Sequence, residues 1–227
     1  MENKINIFDI EFDRLTAKQA MRQILQYMES ESISTVDIVA LEALMLGQGY
    51  TGWKDCLRSI DLLLPGSKEI LESAGIADGR EFQDIENFTF FRLFFRYLER
   101  NRKTVFLLAE QEEVLDMLKE RIENLRRGTV ISGEAVLSPG DGNQDKVINQ
   151  INGVEPDCIL SALSCPYQEQ FISENKALLN ARVWLGCGPL LQNQVSGKHP
   201  LGRLRHLILG KIFRHQVDQQ NKETDFE

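Results

Sequence analysis

Gln168 and Glu169 are the pair best placed to do chemistry. They follow Pro166 in the first turn of a helical stretch that opens straight after a short apolar run, DCILSALS (157–164). Backbone N–H groups at such a turn point outward and can hold an anionic ligand. Acid is also favoured there by the helix dipole alone, so a solvated helix start fits the same pattern. The three histidines, His199, His206 and His215, all lie near the C-terminal end without an accompanying acid. His206 and His215 are nine positions apart, poor spacing for two ligands on one helical face, so no metal site is expected. Cys56, Cys158, Cys165 and Cys187 form no CxxC pair and no recognisable nucleophile–base arrangement, and buried thiols are expected.

Charge is informative when divided along the chain. The whole carries 26 basic and 34 acidic residues, a net of -8, which argues against a general nucleic-acid binder. Yet residues 175–217 contain no acid and hold Lys176, Arg182, Lys198, Arg203, Arg205, Lys211 and Arg214. An acidic body with a basic C-terminal region predicts an anionic partner, either a membrane surface or a phosphorylated ligand.

The elements that must position these groups alternate. Strands are read at 5–12, 34–40, 60–65, 103–109, 129–137, 157–164 and 181–188, with helical stretches between them. Thr16 is a plausible cap for AKQAMRQILQYM, and Ser67 for KEILE. FTFFRLFF (88–95) reads as a buried core helix, or as an oligomer surface if exposed. Near-continuous apolar strands in a β-α-β-α rhythm predict an α/β fold. Its sheet is mostly parallel, with helices on both faces, Rossmann-like.

Ligands in such folds sit beyond the carboxyl ends of the strands. Those ends would be Pro65-Gly66-Ser67, Ala109-Glu110, Ser164-Cys165-Pro166 and Gly186-Cys187-Gly188. The expected organisation is an α/β domain over 1–194, a basic amphipathic appendage over 195–217 and a polar tail over 218–227. On a helix, Leu201, Leu204, Ile208 and Ile212 would line one side and Arg203, His206 and Arg214 the other. That pattern fits an interfacial helix or one packed on the protein's own core. No uncharged apolar run reaches about 18 residues, and the N-terminus lacks the pattern of a secretory signal.

Several segments resemble the WecG/TagA/CpsF family of bacterial glycosyltransferases. DLLLPGSKEIL (61–71), VFLLAE (105–110) and WLGCGPLL (184–191) follow its strand ends in order. VINQINGVEPDCILSALSCPYQEQFI (147–172) carries the most specific match, to a family segment ending in Gly-Leu-Gly-x-Pro-Lys-Gln-Glu. The resemblance implies transfer of an N-acetylhexosamine-type sugar from a UDP-sugar to a polyprenyl-diphosphate-linked acceptor in cell-surface polysaccharide synthesis. It implies no cofactor, a cytoplasmic enzyme at the inner face of the membrane, and membrane contact through the C-terminal appendage.

By that resemblance Gly66, Ser164, Pro166, Gln168 and Glu169 line the substrate site, and Arg203, Arg205, Lys211 and Arg214 meet membrane or phosphate. The departures bear on activity. The family's general-base Asp falls at Gly66, which has no group to take a proton. Its Thr and Asn fall at about Ile38 and Ala40, a small glycine position becomes Glu110, and another Asp falls at Leu190 or Leu191. Asp37 is the candidate substitute base; Asp61 and Glu69 are the other nearby acids. The main expectation is therefore a transferase with a recruited base; the alternative is a silent relative that is a partner or scaffold in polysaccharide assembly, in an oligomer or beside an active paralogue.

Overall fold

The computed structural model describes residues 4–191 and 200–224, with side chains at all of these except 189, 200–207 and 221–224. The chain starts with an antiparallel hairpin, β1 (Lys4–Ile7) and β2 (Ile10–Asp13), where one strand over 5–12 was expected. Phe8 and Asp9 both take positive φ, 55° and 60°, and turn the chain between the two halves. Apolar residues alternate on either side of the turn, at Ile5 and Ile7 and then at Phe8, Ile10 and Phe12, and the adjacent Ile7 and Phe8 mark the phase break that a one-strand reading passes over.

Six further strands form the main sheet: β3 (Ser34–Val39), β4 (Leu62–Pro65), β5 (Thr104–Ala109), β6 (Val130–Val136), β7 (Cys158–Ser161) and β8 (Val183–Gly186). They are parallel throughout, in the order β4-β3-β8-β7-β5-β6. The expected α/β class is therefore observed. The helices are α1 (Ala17–Glu29), α2 (Leu41–Gly47), α3 (Trp53–Arg58), α4 (Lys68–Ser73), α5 (Arg80–Glu86), α6 (Thr89–Asn101), α7 (Glu112–Leu125), α8 (Gln144–Val154), α9 (Tyr167–Asn175) and α10 (Pro200–Thr224).

Strand residues alternate between two apolar cores. Val36, Ile38, Leu64, Val105 and Leu107 pack with α1, α6 and α7 on one face. Phe106, Leu108, Ile159 and Trp184 pack with α8 and α9 on the other, continued by Val39 and Leu63 against α2, α3 and the hairpin. The aromatic run forms α6, with Phe90, Phe91, Phe94 and Phe95 buried. Each such ring contributes about 1.5–3 kcal/mol by leaving water. Thr16 and Gln19 make the reciprocal cap that starts α1.

The amino ends of the strands are fastened by two similar clamps. Asp61, just before β4, accepts the Thr35 N–H (2.7 Å), the Thr35 hydroxyl (2.8 Å) and Lys176 Nζ (2.7 Å). Asp157, just before β7, accepts the Thr104 N–H (2.8 Å), the Thr104 hydroxyl (3.2 Å) and Lys103 Nζ (2.8 Å). In both, the Asp N–H donates back to the threonine oxygen at 3.0 Å. Asp61 is thus a structural fastener at the end of the sheet away from the expected site.

The C-terminal helix packs on α2 and α4 through Phe213 and Val217, and the Phe213 ring meets Phe8 edge-on with centroids 5.6 Å apart. Residues 218–224, expected as a polar tail, continue this helix. Gly210 does not interrupt it: it is buried against α4, where a Cβ would lie 3.6 Å from Glu69 Cγ. Among the described residues no helix is long and apolar enough to cross a membrane.

Candidate functional site at the carboxyl ends of the strands

β5 leads into α7 on one face of the sheet and β7 into α9 on the other, so the two chains diverge as they leave the sheet. In open parallel sheets this divergence makes the ligand crevice. Glu110 crosses it. Its Oε1 accepts the Ser164 N–H at 2.7 Å and also the Ser164 hydroxyl, while its own carbonyl accepts the Ser138 hydroxyl at 2.8 Å. The side chain that the sequence leaves free to face ligand or water thus holds the β7–α9 loop. One N–H of that loop, available in principle to an anion, already has a carboxylate.

At the neighbouring strand end, the Gly66 N–H donates to the Val39 carbonyl at 2.8 Å. A Cβ at this position would come within 2.8 Å of both Leu190 Cδ1 and the Val39 oxygen. A side chain cannot be restored here without moving backbone, because the obstructing oxygen belongs to β3. Leu190, one of the two positions matched to an acidic residue of the family, fills the space instead. Ser67 occupies the cap position of α4 but makes no cap bond there; its hydroxyl accepts the Leu41 N–H (2.9 Å) and so caps α2. Beside Gly66 lies a largely apolar cavity of ≈60 Å³, lined by Ile38, Leu64, Phe91 and Leu190. Asp84, which the sequence does not single out, lies at its edge and accepts the Ala17 N–H (2.9 Å) at the start of α1.

Gln168 and Glu169 point into the protein. Gln168 Nε2 donates to Asp37 Oδ1 (3.0 Å), and its Oε1 accepts the Gly188 N–H (3.3 Å). Asp37 lies across Gly186, its register partner in β8, where a Cβ would fall 2.6 Å from Asp37 Oδ1 and 2.7 Å from Gln168 Nε2. The missing side chain of Gly186 is therefore what lets strand and helix share this bond. Glu169 is 2% exposed, and neither its Oε2 nor the Asp37 Oδ2 has a hydrogen-bond partner. The Trp53 indole lies beside Glu169 without a well-formed hydrogen bond. Burial, and then the Glu169 charge, push Asp37 well above the ordinary carboxylate range. Burial likewise pushes Glu169 to about 7. The arrangement is a sealed carboxyl pair that prefers to keep a proton.

The remaining expected residues are spread out. Ser164 is exposed and Pro166 half-buried at the crevice mouth. Cys158 and Cys187 are buried free thiols, and Cys56 and Cys165 are half-buried ones. Lys211 and Arg214 are exposed on α10, and Arg214 Nε donates to the Gly210 carbonyl at 3.2 Å. The side chains of Arg203 and Arg205, with Leu201, Leu204 and His206, lie outside the described residues, as does His199. The helix face turned inward is that of Leu209, Phe213 and Val217, whereas Ile208 and Ile212, expected on the packed or lipid side, are 50% and 46% exposed. Among the described residues no group of three or more His, Cys, Asp or Glu could hold a metal ion.

The family description "Glycosyl transferase WecG/TagA/CpsF family" matches residues 5–200, most of the chain. The chain belongs to this family. One curated relative, the N-acetylglucosaminyldiphosphoundecaprenol N-acetyl-beta-D-mannosaminyltransferase of Bacillus subtilis (strain 168), is 26% identical over 137 residues. That match covers 59% of this chain and 52% of the relative, so it spans about half of the relative's length. Within the family fold, this member has a filled space at residue 66, a carboxylate across the crevice and its best acids sealed inside.

Proposed function

We propose that this chain is a non-transferring member of the WecG/TagA/CpsF family. It acts as a partner or scaffold in surface-polysaccharide assembly, at the inner face of the cell membrane, where active relatives join a UDP-activated N-acetylhexosamine to a polyprenyl-diphosphate-linked acceptor. The observation that carries this reading is the packing at Gly66. The position matched to the family's base has neither a proton acceptor nor room for one. Direct displacement at a sugar needs an aligned hydroxyl and usually a base. Glu110 adds a charge in the crevice that a diphosphate would have to displace. On α10, exposed Lys211 and Arg214 flank outward Ile208 and Ile212, a surface suited to a membrane or to the diphosphate of a lipid-linked partner.

One observation favours the alternative of an active transferase. Glu169, with a pKa near 7, has the basicity of a general base at neutral pH, with Gln168 and Asp37 at its side. It would serve only if α3 moved aside to expose it. The deciding experiment combines UDP titration by calorimetry with a transfer assay, using UDP-N-acetylmannosamine and a short-chain lipid-diphosphate acceptor. The proposed role predicts no transfer and no heat of UDP binding at millimolar ligand. Transfer by the wild type that disappears in Glu169→Gln would replace it with the transferase reading.

A further inference from the structure

A second surface has no part in the site above. α1 and α6 pack side by side, and between them runs an open groove of ≈580 Å³. It lies on the face of the sheet opposite the core that holds Phe213 and Val217 of α10. Its walls carry Lys18 and Arg22 from α1 and Arg96 and Arg100 from α6, all four exposed. The ion pairs among the described residues involve none of these cations. The groove's remaining lining is mainly apolar: Met21, Leu25, Leu93 and Tyr97, with Leu25 37% exposed.

Each wall places like charges one helical turn apart, an arrangement that weakens a helix slightly. Among the described residues neither pair has a carboxylate to relieve it, although the chain as a whole carries an excess of eight negative charges. Cations that converge over a partly exposed apolar floor match an anionic lipid surface. Phosphate groups would sit between the basic rows, and the glycerol and first acyl carbons would lie on the floor.

We propose that the α1–α6 groove is a docking surface for anionic membrane phospholipid. The proposal uses none of the residues around Gly66 or Glu169 and stands whether or not the chain transfers sugar. The test is flotation of the full chain with vesicles of phosphatidylcholine, alone or mixed with phosphatidylglycerol. The wild type is expected on the mixed vesicles only, and to be released by salt. Arg96→Gln with Arg100→Gln removes two cations, each worth about 1 kcal/mol at such a surface, so binding should fall about thirtyfold. Both residues are exposed and make no ion pair among the described residues, so the thermal midpoint should not move, which separates lost docking from lost folding.

Lys211→Gln with Arg214→Gln tests α10 in the same assay. Loss in the α10 variant alone, with the groove variant binding like the wild type, overturns the groove and leaves the α10 contact standing. Equal binding to both kinds of vesicle, no binding to either, or full displacement by millimolar inorganic phosphate would each overturn the proposal as well.

Discussion

At the amino ends of the strands, Asp61 and Asp157 each hold a lysine and a threonine. At the carboxyl ends, Asp37 and Glu110 hold amide, hydroxyl and backbone N–H groups, and Glu169 lies sealed beside them. The consequence for ionisation is opposite. Burial works to raise Asp61 and Asp157, but lysine and threonine bonds outweigh it and keep both below the ordinary range. At the other end burial prevails and raises both Asp37 and Glu169, the latter to about 7. The same residue types therefore act as charged fasteners at one end and as buried acids whose charge is disfavoured at the other. The end where open parallel sheets hold ligands is the one where Asp37 and Glu169 make no ion pair among the described residues.

The comparison can be broken most sharply at Gly186. Gly186→Ala sets a methyl group against Asp37 and Gln168, forcing the core apart and breaking a buried hydrogen bond. We expect a loss of about 4 kcal/mol in denaturant unfolding. The carboxyl pair comes next. Glu169 has a raised folded pKa, so the folded state binds more protons than the unfolded one. Stability from this group is present below about pH 4.5 and is lost as pH rises through about 7. The change is on the order of 3 kcal/mol. Glu169→Gln should flatten the unfolding midpoint between pH 5 and 8, whereas an unchanged slope would remove the carboxyl pair from the account.

The clamps have the reverse sign, with stability present above the usual aspartate pKa and lost only as pH falls below it. Asp61→Ala should cost about 2 kcal/mol at neutral pH, measured by chemical denaturation. The smallest effect on stability is expected for Glu110→Ala, below about 1 kcal/mol because the group is partly exposed. That variant sharpens the comparison on the ligand side. Freeing the Ser164 N–H should produce a measurable UDP heat that the wild type lacks.

Much of the sheet was legible because its strands are short apolar runs bounded by turn residues and separated by longer amphipathic helices, so length and period together distinguish them. The aromatic core of α6 was legible for the same reason and the cap at Thr16 from its residue type, whereas the reciprocal bond from Gln19 is seen only in the structure. The turn at Phe8-Asp9 was not, since no glycine marks it and Phe8 is an unusual residue for positive φ; its local support, the Asn6 Oδ1 that accepts the Asp9 N–H at 3.1 Å, lies inside what reads as a strand. Ser67 had the right residue type for a cap, yet it caps a helix 26 residues away in sequence, which no local pattern encodes.

At the site, the resemblance implies a missing base at residue 66, but no local pattern in the sequence says what occupies the space beside it. That Leu190 fills the space, that Glu110 turns to Ser164 and that Gln168 reaches Asp37 all depend on contacts between distant segments. Asp84 carried no signal, because it is one of three acids in the short helix α5 and looks like its solvated neighbours.

The edge-on meeting of Phe8 and Phe213 brings an early hairpin and a late helix to one corner. Their shared anchor makes the two extremities mutually dependent: trimming the hairpin strips the helix of its seat, and deleting the helix uncovers the ring it shields. Proteolysis begun at either extremity should accordingly loosen the other.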